Sequence, residues 1–304
     1  MAIRPNRAVA LLTLTSALVV GGALTTARVP GVGPQAVPSD PSSGPTAAVP
    51  PPSSPAASPT GRSVPPSVAP SASLPPPIDG WTLIFHDTFD QPVASGDFPA
   101  VVRDRWDAYP SPWRDTSGRG MYAPEIVSMH DSMMDIHLRT VDGVAQVAAP
   151  MPVLPVGDGK HQLYGRYEVR FRADALPGFK TAWLLWPASG VWPRDGEIDF
   201  PEGALDGSFS AFLHHQGAAD GGDQAIFPAD ATYDRWHTAV IEWGPGVCEF
   251  LLDGRSIGRS TVRVPNTPMR WVLQTETALR GPGPAPDVEG HVLVDWVTVW
   301  SHDG

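Results

Sequence analysis

From Trp81 onward the chain alternates short apolar-rich runs with clusters of Gly, Pro, Asp and Ser. Tyr164-Gly-Arg-Tyr-Glu-Val-Arg-Phe alternates cleanly, the two-residue period of a strand with one buried face. Similar runs lie at Leu83–Phe85, Met133–Arg139, Ala182–Trp186, Phe209–His215, Thr238–Trp243, Val247–Leu252, Trp271–Thr275 and His291–Trp300. No segment sustains an apolar stripe at helical spacing. Many short strands separated by turn residues predict an all-β sandwich or barrel, and about 225 residues is an ordinary size for one such domain.

The pattern is different before residue 78. Arg4 and Arg7 precede an apolar run from Ala8 to Leu24, and Thr25-Thr26-Ala27 offers a small-residue cleavage site. Residues 1–27 therefore read as a signal peptide, with an N-terminal anchor as the alternative, because the run approaches the ~18–20 residues that span a bilayer. Residues 28–77 are rich in Pro, Ser and Ala; sixteen of the 36 prolines fall between residues 30 and 77, which excludes a packed core and predicts a disordered linker. Residues 78–304 are left as the folded domain of a secreted protein, or of one tethered to the cell envelope.

Charge narrows the partners. The chain carries −11, and residues 80–304 hold 17 basic and 30 acidic groups, a balance of −13. So acidic a domain is unsuited to nucleic acid or anionic membrane surfaces and favours neutral polysaccharides over sulfated ones. A single cysteine, Cys248, excludes an intramolecular disulfide and a lipid-modified N-terminal cysteine; it reads as an inert buried thiol.

The chemistry concentrates in Gly196-Glu-Ile-Asp-Phe-Pro-Glu-Gly203. Glu197 and Asp199 share a face of a strand, whereas Glu202, at an odd offset, would face the other way. One extra residue, a β-bulge, restores it, and Pro201 stands where such a bulge belongs. Paired carboxylates suit glycoside hydrolysis, in which a retaining enzyme needs two carboxyl groups roughly 5–5.5 Å apart. Three acids on one strand also suit a cation site or a solvated face.

Glu197-Ile-Asp199-Phe-Pro-Glu202 resembles the bulged Glu-x-Asp-x-x-Glu signature of glycoside hydrolase family 16, in its laminarinase-like form. Trp192-Pro193-Arg194-Asp195-Gly196 resembles the segment that introduces that signature, and Tyr164-Gly-Arg166-Tyr-Glu168-Val-Arg170 an upstream strand. Trp236-His237, Glu242-Trp243, Asp253-Gly254 and Val294-Asp295-Trp296-Val297 follow in the family's order. The resemblance implies a concanavalin-like β-jelly-roll sandwich of two curved antiparallel sheets, with a substrate cleft on the concave face. It implies a monomeric, cofactor-free, retaining endo-glycosidase with Glu197 as nucleophile, Glu202 as acid/base and Asp199 between them, and no catalytic metal. A β-1,3- or β-1,3-1,4-glucan is the expected substrate. A transglycosylase of the same fold and a non-catalytic carbohydrate-binding protein are the alternatives.

Five residues are expected at the substrate. Trp192 resembles the family's tryptophan beside the motif, His214 a histidine on the following strand, Trp183 a family tryptophan, and Gln274 a polar position of the cleft. Trp113 sits in a loop that would line the cleft. Trp183 and Trp186, three apart, must face opposite ways, so one of them is core. For Arg166 and Glu168 a salt bridge competes with a substrate contact. Three departures stand out. Phe179-Lys180-Thr181-Ala182-Trp183 replaces the family's Trp-Pro-Ala-Phe-Trp, which introduces a lysine. Tyr122-Ala123-Pro124-Glu125 lacks an asparagine common in the family. Asp87-Thr88-Phe89 replaces Asp-Glu-Phe, losing a carboxylate that with Asp295 would bind a structural calcium, which puts that site in doubt.

Overall fold

The structure, a computed structural model, describes residues 75–302. The signal-peptide and linker assignments lie outside the described residues. Within them the chain is almost entirely β, a jelly-roll sandwich of a five-stranded and a ten-stranded sheet. The smaller sheet runs in the order Gln224–Thr232, Ser208–His214, Glu197–Ala204, Phe179–Pro187, Met269–Thr277, antiparallel throughout. The larger is centred on Gly165–Ala173, flanked by His237–Gly244 and the long strand Gly290–His302. One of its outer pairs, Gly120–Tyr122 with Val144–Val147, is parallel.

Each strand of the small sheet sends alternate residues into the space between the sheets. Ile198 and Phe200 go inward from the acid strand, and Phe200 packs edge-on against Phe250 of the large sheet at 5.9 Å. The core is continuous and rich in large rings, with Trp106, Trp183, Trp243 and Trp271 all buried. Such flat side chains bury the most apolar area per residue, so a sandwich without disulfides draws its stability from them.

Every predicted run lies largely or wholly within a strand, with ends shifted by a residue or a few. The strand Gln224–Thr232 escapes a sequence reading because Pro228 interrupts it. Proline is tolerated there because this is an edge strand, with no further neighbour needing its N–H. Phe227 of that edge reaches over Gly258 of the large sheet; a Cβ at 258 would lie 2.1 Å from its ring, so a glycine is required.

The convex-side acids are already matched by cations. Asp295 is bonded to Arg170, while Asp87 accepts from Arg105 at 3.1 Å, the Trp106 indole at 2.8 Å and the Phe89 N–H at 2.8 Å. Carboxylates neutralised in this way do not form the many-oxygen cage that calcium requires, so the residues do not fit that ion. Arg166 likewise belongs to the large sheet, bonded to Glu168 and Glu242 in a structural ion cluster away from the acid strand.

Candidate active site

The acid strand carries its bulge where the sequence places it. Asp199 pairs with Leu184 on one neighbour and Phe212 on the other; Glu202 pairs with Ala182 and Ser210. Three steps along the acid strand thus match two along each partner, which turns Glu202 onto the face of Glu197 and Asp199. The Pro201 carbonyl displaced by the bulge accepts from the Thr181 hydroxyl at 3.1 Å, and Thr181 is braced by Tyr233 Oη at 2.6 Å. At the start of the strand Gly196 has φ of +74°, and a Cβ there would strike the His214 carbonyl and Pro265 at 2.7 Å. Only glycine lets the chain enter so close to the neighbouring strand.

All three carboxylates are buried, at 3%, 2% and 8% exposure for Glu197, Asp199 and Glu202. Burial, reinforced by the charge of Glu202, pushes Glu197 up to about 8. Burial and then Glu197 and Glu202 raise Asp199 well above the ordinary carboxylate range. Asp199 Oδ2 has no donor to meet it, and a proton resolves the conflict, with Asp199 donating to Glu197. The pair thus holds a proton at neutral pH, while their neighbour Glu202 lies 2.6 Å from the ammonium of Lys180.

His214 stands directly opposite Glu197 in the sheet. Its Nδ1 bonds the Gly221 carbonyl at 3.1 Å, which assigns the proton to Nδ1. Nε2 then faces the acids, 3.6 Å from Asp199 and 3.8 Å from Glu197. Burial lowers its pKa, so the ring is neutral near pH 7. His215 faces the other way, into an ion cluster with Asp223 and Arg263. Glu197, Asp199 and His214 bring ligand atoms within 4.8 Å of one another, but two of them share a proton that an ion would have to displace. They read as proton-handling groups.

The expected substrate contacts divide. Trp192, half-buried, packs edge-on to His214 at 5.7 Å, its indole N–H turned to Glu197 and holding that carboxyl down, though short of hydrogen-bond geometry. Gln274 pairs with Ala182 on the acid face, and its Oε1 is buried without a partner. Trp113, 53% exposed, stands beside Tyr109 at 5.8 Å, and Tyr109 feels the charge of Glu197, which puts this ring at the rim of the site. Trp183 is corrected. It is fully buried between the sheets against Phe171, at 5.2 Å, because its cross-strand partner Leu273 faces the core. By the same alternation Trp186 is the tryptophan on the acid face.

Three groups escaped the sequence reading. Glu276 lies two residues past Gln274, hence on the same face, so the alternation alone would have found it. Lys180 was visible as a departure, but nothing in the sequence says that its ammonium turns inward. Tyr109, bonded through its hydroxyl to Arg270 at 3.1 Å, arrives on a loop that carries no periodic signal.

Comparisons with known proteins agree with this geometry. Residues 157–297, which hold the whole acid strand, match the family described as glycosyl hydrolases family 16. A glucan endo-1,3-β-glucosidase of Cryptopygus antarcticus is 36% identical over 107 residues, covering 30% of this chain and 37% of that protein. The chain spans about a third of the length of the curated relatives it matches. Among solved structures, SCLam, a non-specific endo-β-1,3(4)-glucanase, superposes with a TM-score of 0.60 at 18% identity, covering 77% of this chain and 96% of that one. A variant of LamA from Zobellia galactanivorans, in complex with laminaritriose and laminaritetraose, gives 0.56 at 20% identity, covering 72% and 99%. At these identities the structural likeness carries the fold.

Proposed function

We propose that this chain, whose residues 157–297 match glycosyl hydrolases family 16, is an endo-acting retaining glycosidase of β-1,3- or mixed β-1,3-1,4-glucans. The observation that carries the reading is the bulge, which brings Glu202 to the face of Glu197 and Asp199 and leaves all three buried, with the ammonium of Lys180 beside Glu202. Two carboxyl groups brought to one buried face are what an acid–nucleophile pair requires.

In this scheme Asp199 keeps the pair's proton and donates it in a hydrogen bond, so that the ionised Glu197 attacks the anomeric carbon and forms a glycosyl ester as the glycosidic oxygen departs. Glu202 gives a proton to the departing oxygen, then takes one from the water that releases the sugar. Asp199 steadies Glu197 by hydrogen bonding, and neutral His214 faces both. Trp192, Gln274 and Trp113 offer an apolar ring, an unpaired amide oxygen and an exposed rim for the sugar chain. No cofactor enters the scheme. Export of a monomer to meet an extracellular polymer belongs to the same reading.

The test is reducing-end release by the full chain on neutral and anionic polysaccharides, with Glu197→Gln as the blank. Cleavage of a β-glucan with a product first released as the β-anomer, absent in the variant, supports the reading. Binding without cleavage would favour a carbohydrate-binding protein. Products longer than the substrate, formed on adding an acceptor sugar, would favour a transglycosylase.

A further inference from the structure

The scheme leaves one buried charge unused. Lys180 Nζ lies 2.6 Å from Glu202 Oε1 and 3.7 Å from Glu276 Oε2. Glu276 pairs directly with Lys180 across the sheet and is fixed from its other side. Its Oε1 accepts from the Thr116 backbone N–H at 3.0 Å, from the Thr116 hydroxyl, and from Tyr122 Oη at 3.3 Å. The side chains of Lys180, Glu202 and Glu276 are 9%, 10% and 1% exposed. One ammonium, removed from water, therefore bridges two carboxylates, one of them anchored.

We propose that Lys180 is a positioning residue for Glu202, holding its Oε1 edge and dividing one positive charge between Glu202 and Glu276, so that this division sets the pH range of activity. The inference rests on the glycosidase reading above. With Oε1 engaged by the lysine, Oε2 is the oxygen left to meet the glycosidic bond. Burial opposes the charge on Lys180, but Glu202 and Glu276 outweigh it and raise its pKa, so the bridge persists across the working range.

The surroundings of Glu202 make the lysine decisive. Glu197 and Asp199 face it from its own strand, Lys180 from the strand beside it and Glu276 from the strand beyond, with Asp115 and Tyr122 behind Glu276. His214 faces it from the far side, and Tyr233 lies beneath, on Thr181. Burial lowers His214 and raises Tyr122 and Tyr233, leaving all three neutral near pH 7. Of these groups Lys180 alone carries positive charge there. An opposite charge within ~4–6 Å favours the ionised carboxyl and a like charge disfavours it. Removing Lys180 must therefore make Glu202 easier to protonate. Removing the charge of Glu276 concedes the whole ammonium to Glu202 and acts the other way. A lysine that merely braced the sheet would not give effects of opposite sign.

The experiment measures kcat/KM against pH for the full chain and for Lys180→Met, Lys180→Arg and Glu276→Gln, on a soluble β-1,3-glucan. A β-1,3-gluco-oligosaccharide bearing a dinitrophenolate leaving group runs in parallel, because it needs no proton from an acid. The limb seen with the polysaccharide but not with the aryl glycoside belongs to Glu202. That limb is expected to move up by about 1–2 pH units in Lys180→Met and down by roughly half a unit or more in Glu276→Gln, and to stay near its original place in Lys180→Arg. Shifts of the same sign, or none, alongside an inactive Glu197→Gln, overturn the proposal. Should Lys180→Met fail to fold, Glu276→Gln carries the test alone, and a limb unmoved or raised there overturns it. An active Glu197→Gln instead overturns the glycosidase reading, and this inference with it.

Discussion

Glu197→Gln should abolish activity and at the same time stabilise the protein, in a pH-dependent way. In the fold Glu197 is pushed up to about 8 by burial and by Glu202, from 4.5 in an unconstrained chain. Between those values the native state holds a proton that the unfolded chain has released. Native protons in excess mean that stability falls as pH rises. The contribution is complete below pH 4.5 and is lost as pH climbs through 8. At pH 7 about 2.5 of those units have been crossed, and at about 1.36 kcal/mol each the cost is roughly 3 kcal/mol. A glutamine has nothing to ionise and escapes that cost, while its amide oxygen still accepts from Asp199. For a domain of this size 1 kcal/mol moves Tm by about 2–4 °C, so the variant should gain roughly 6–12 °C over the wild type at pH 7 relative to its position at pH 4. Thermal unfolding followed by circular dichroism at the two pH values measures that difference. A Tm gap that is the same at both, or that favours the wild type more at pH 7, would refute the account of Glu197 and Asp199 as a buried pair that holds a proton at neutral pH.

Glu202→Ala should cut turnover of the polysaccharide by about 10²–10⁴-fold while sparing a dinitrophenyl glycoside, and added azide should yield a β-glycosyl azide detectable by NMR. Trp183→Ala should cost about 3–5 kcal/mol in urea unfolding, because it opens a cavity between the sheets, and leave KM of the surviving folded enzyme near the wild-type value. Trp113→Ala, at an exposed rim, should do the reverse, raising KM with Tm within a degree or two; a large loss of stability there would displace it from the rim. EDTA and added calcium should both leave Tm unchanged, since Arg170 and Arg105 already neutralise Asp295 and Asp87.

How much of this could be read from the chain depends on whether a feature is periodic. Strands announce themselves by alternation, and so did the bulge, because an odd offset between Asp199 and Glu202 together with Pro201 left one geometric solution. Trp183 shows the limit. Alternation said that it and Trp186 face opposite ways, but which way is a matter of the register that sets Ala182 and Leu184 against Glu202 and Asp199, and register is a property of the assembled sheet. Resemblance pointed to Trp183; the pairing of Trp183 with Leu273 puts it in the core. Charges escape differently. A lysine in sequence is by default a solvated side chain, since burying it is costly, and only two carboxylates already fixed by other strands change that balance.

A related exchange occurs on both faces of the protein, and it bears on two of the three departures from the family pattern. On the convex side, a carboxylate is missing beside Asp87, and arginines neutralise the acids that remain. On the acid face, Ala182 stands where the family pattern has a phenylalanine and Lys180 where it has a proline, and Glu276 is there to receive the lysine. Residues 80–304, with 17 basic groups against 30 acidic ones, have few cations to spare, so a lysine placed on a buried face goes where negative charge is densest. That place is the acid/base. The loss of a flat ring at Ala182 and the gain of a charge beside Glu202 at Lys180 are therefore two substitutions on the same face of one strand. The enzyme should bind its polymer less through stacking on that side, and should depend more on the placement of protons among Glu197, Asp199 and Glu202. Ala182→Phe, which restores a ring, and Lys180→Met, which removes the charge, separate the two. If stacking is what was lost, KM should fall in the first. If the bridge is what matters, kcat and the pH profile should change in the second whatever happens to KM.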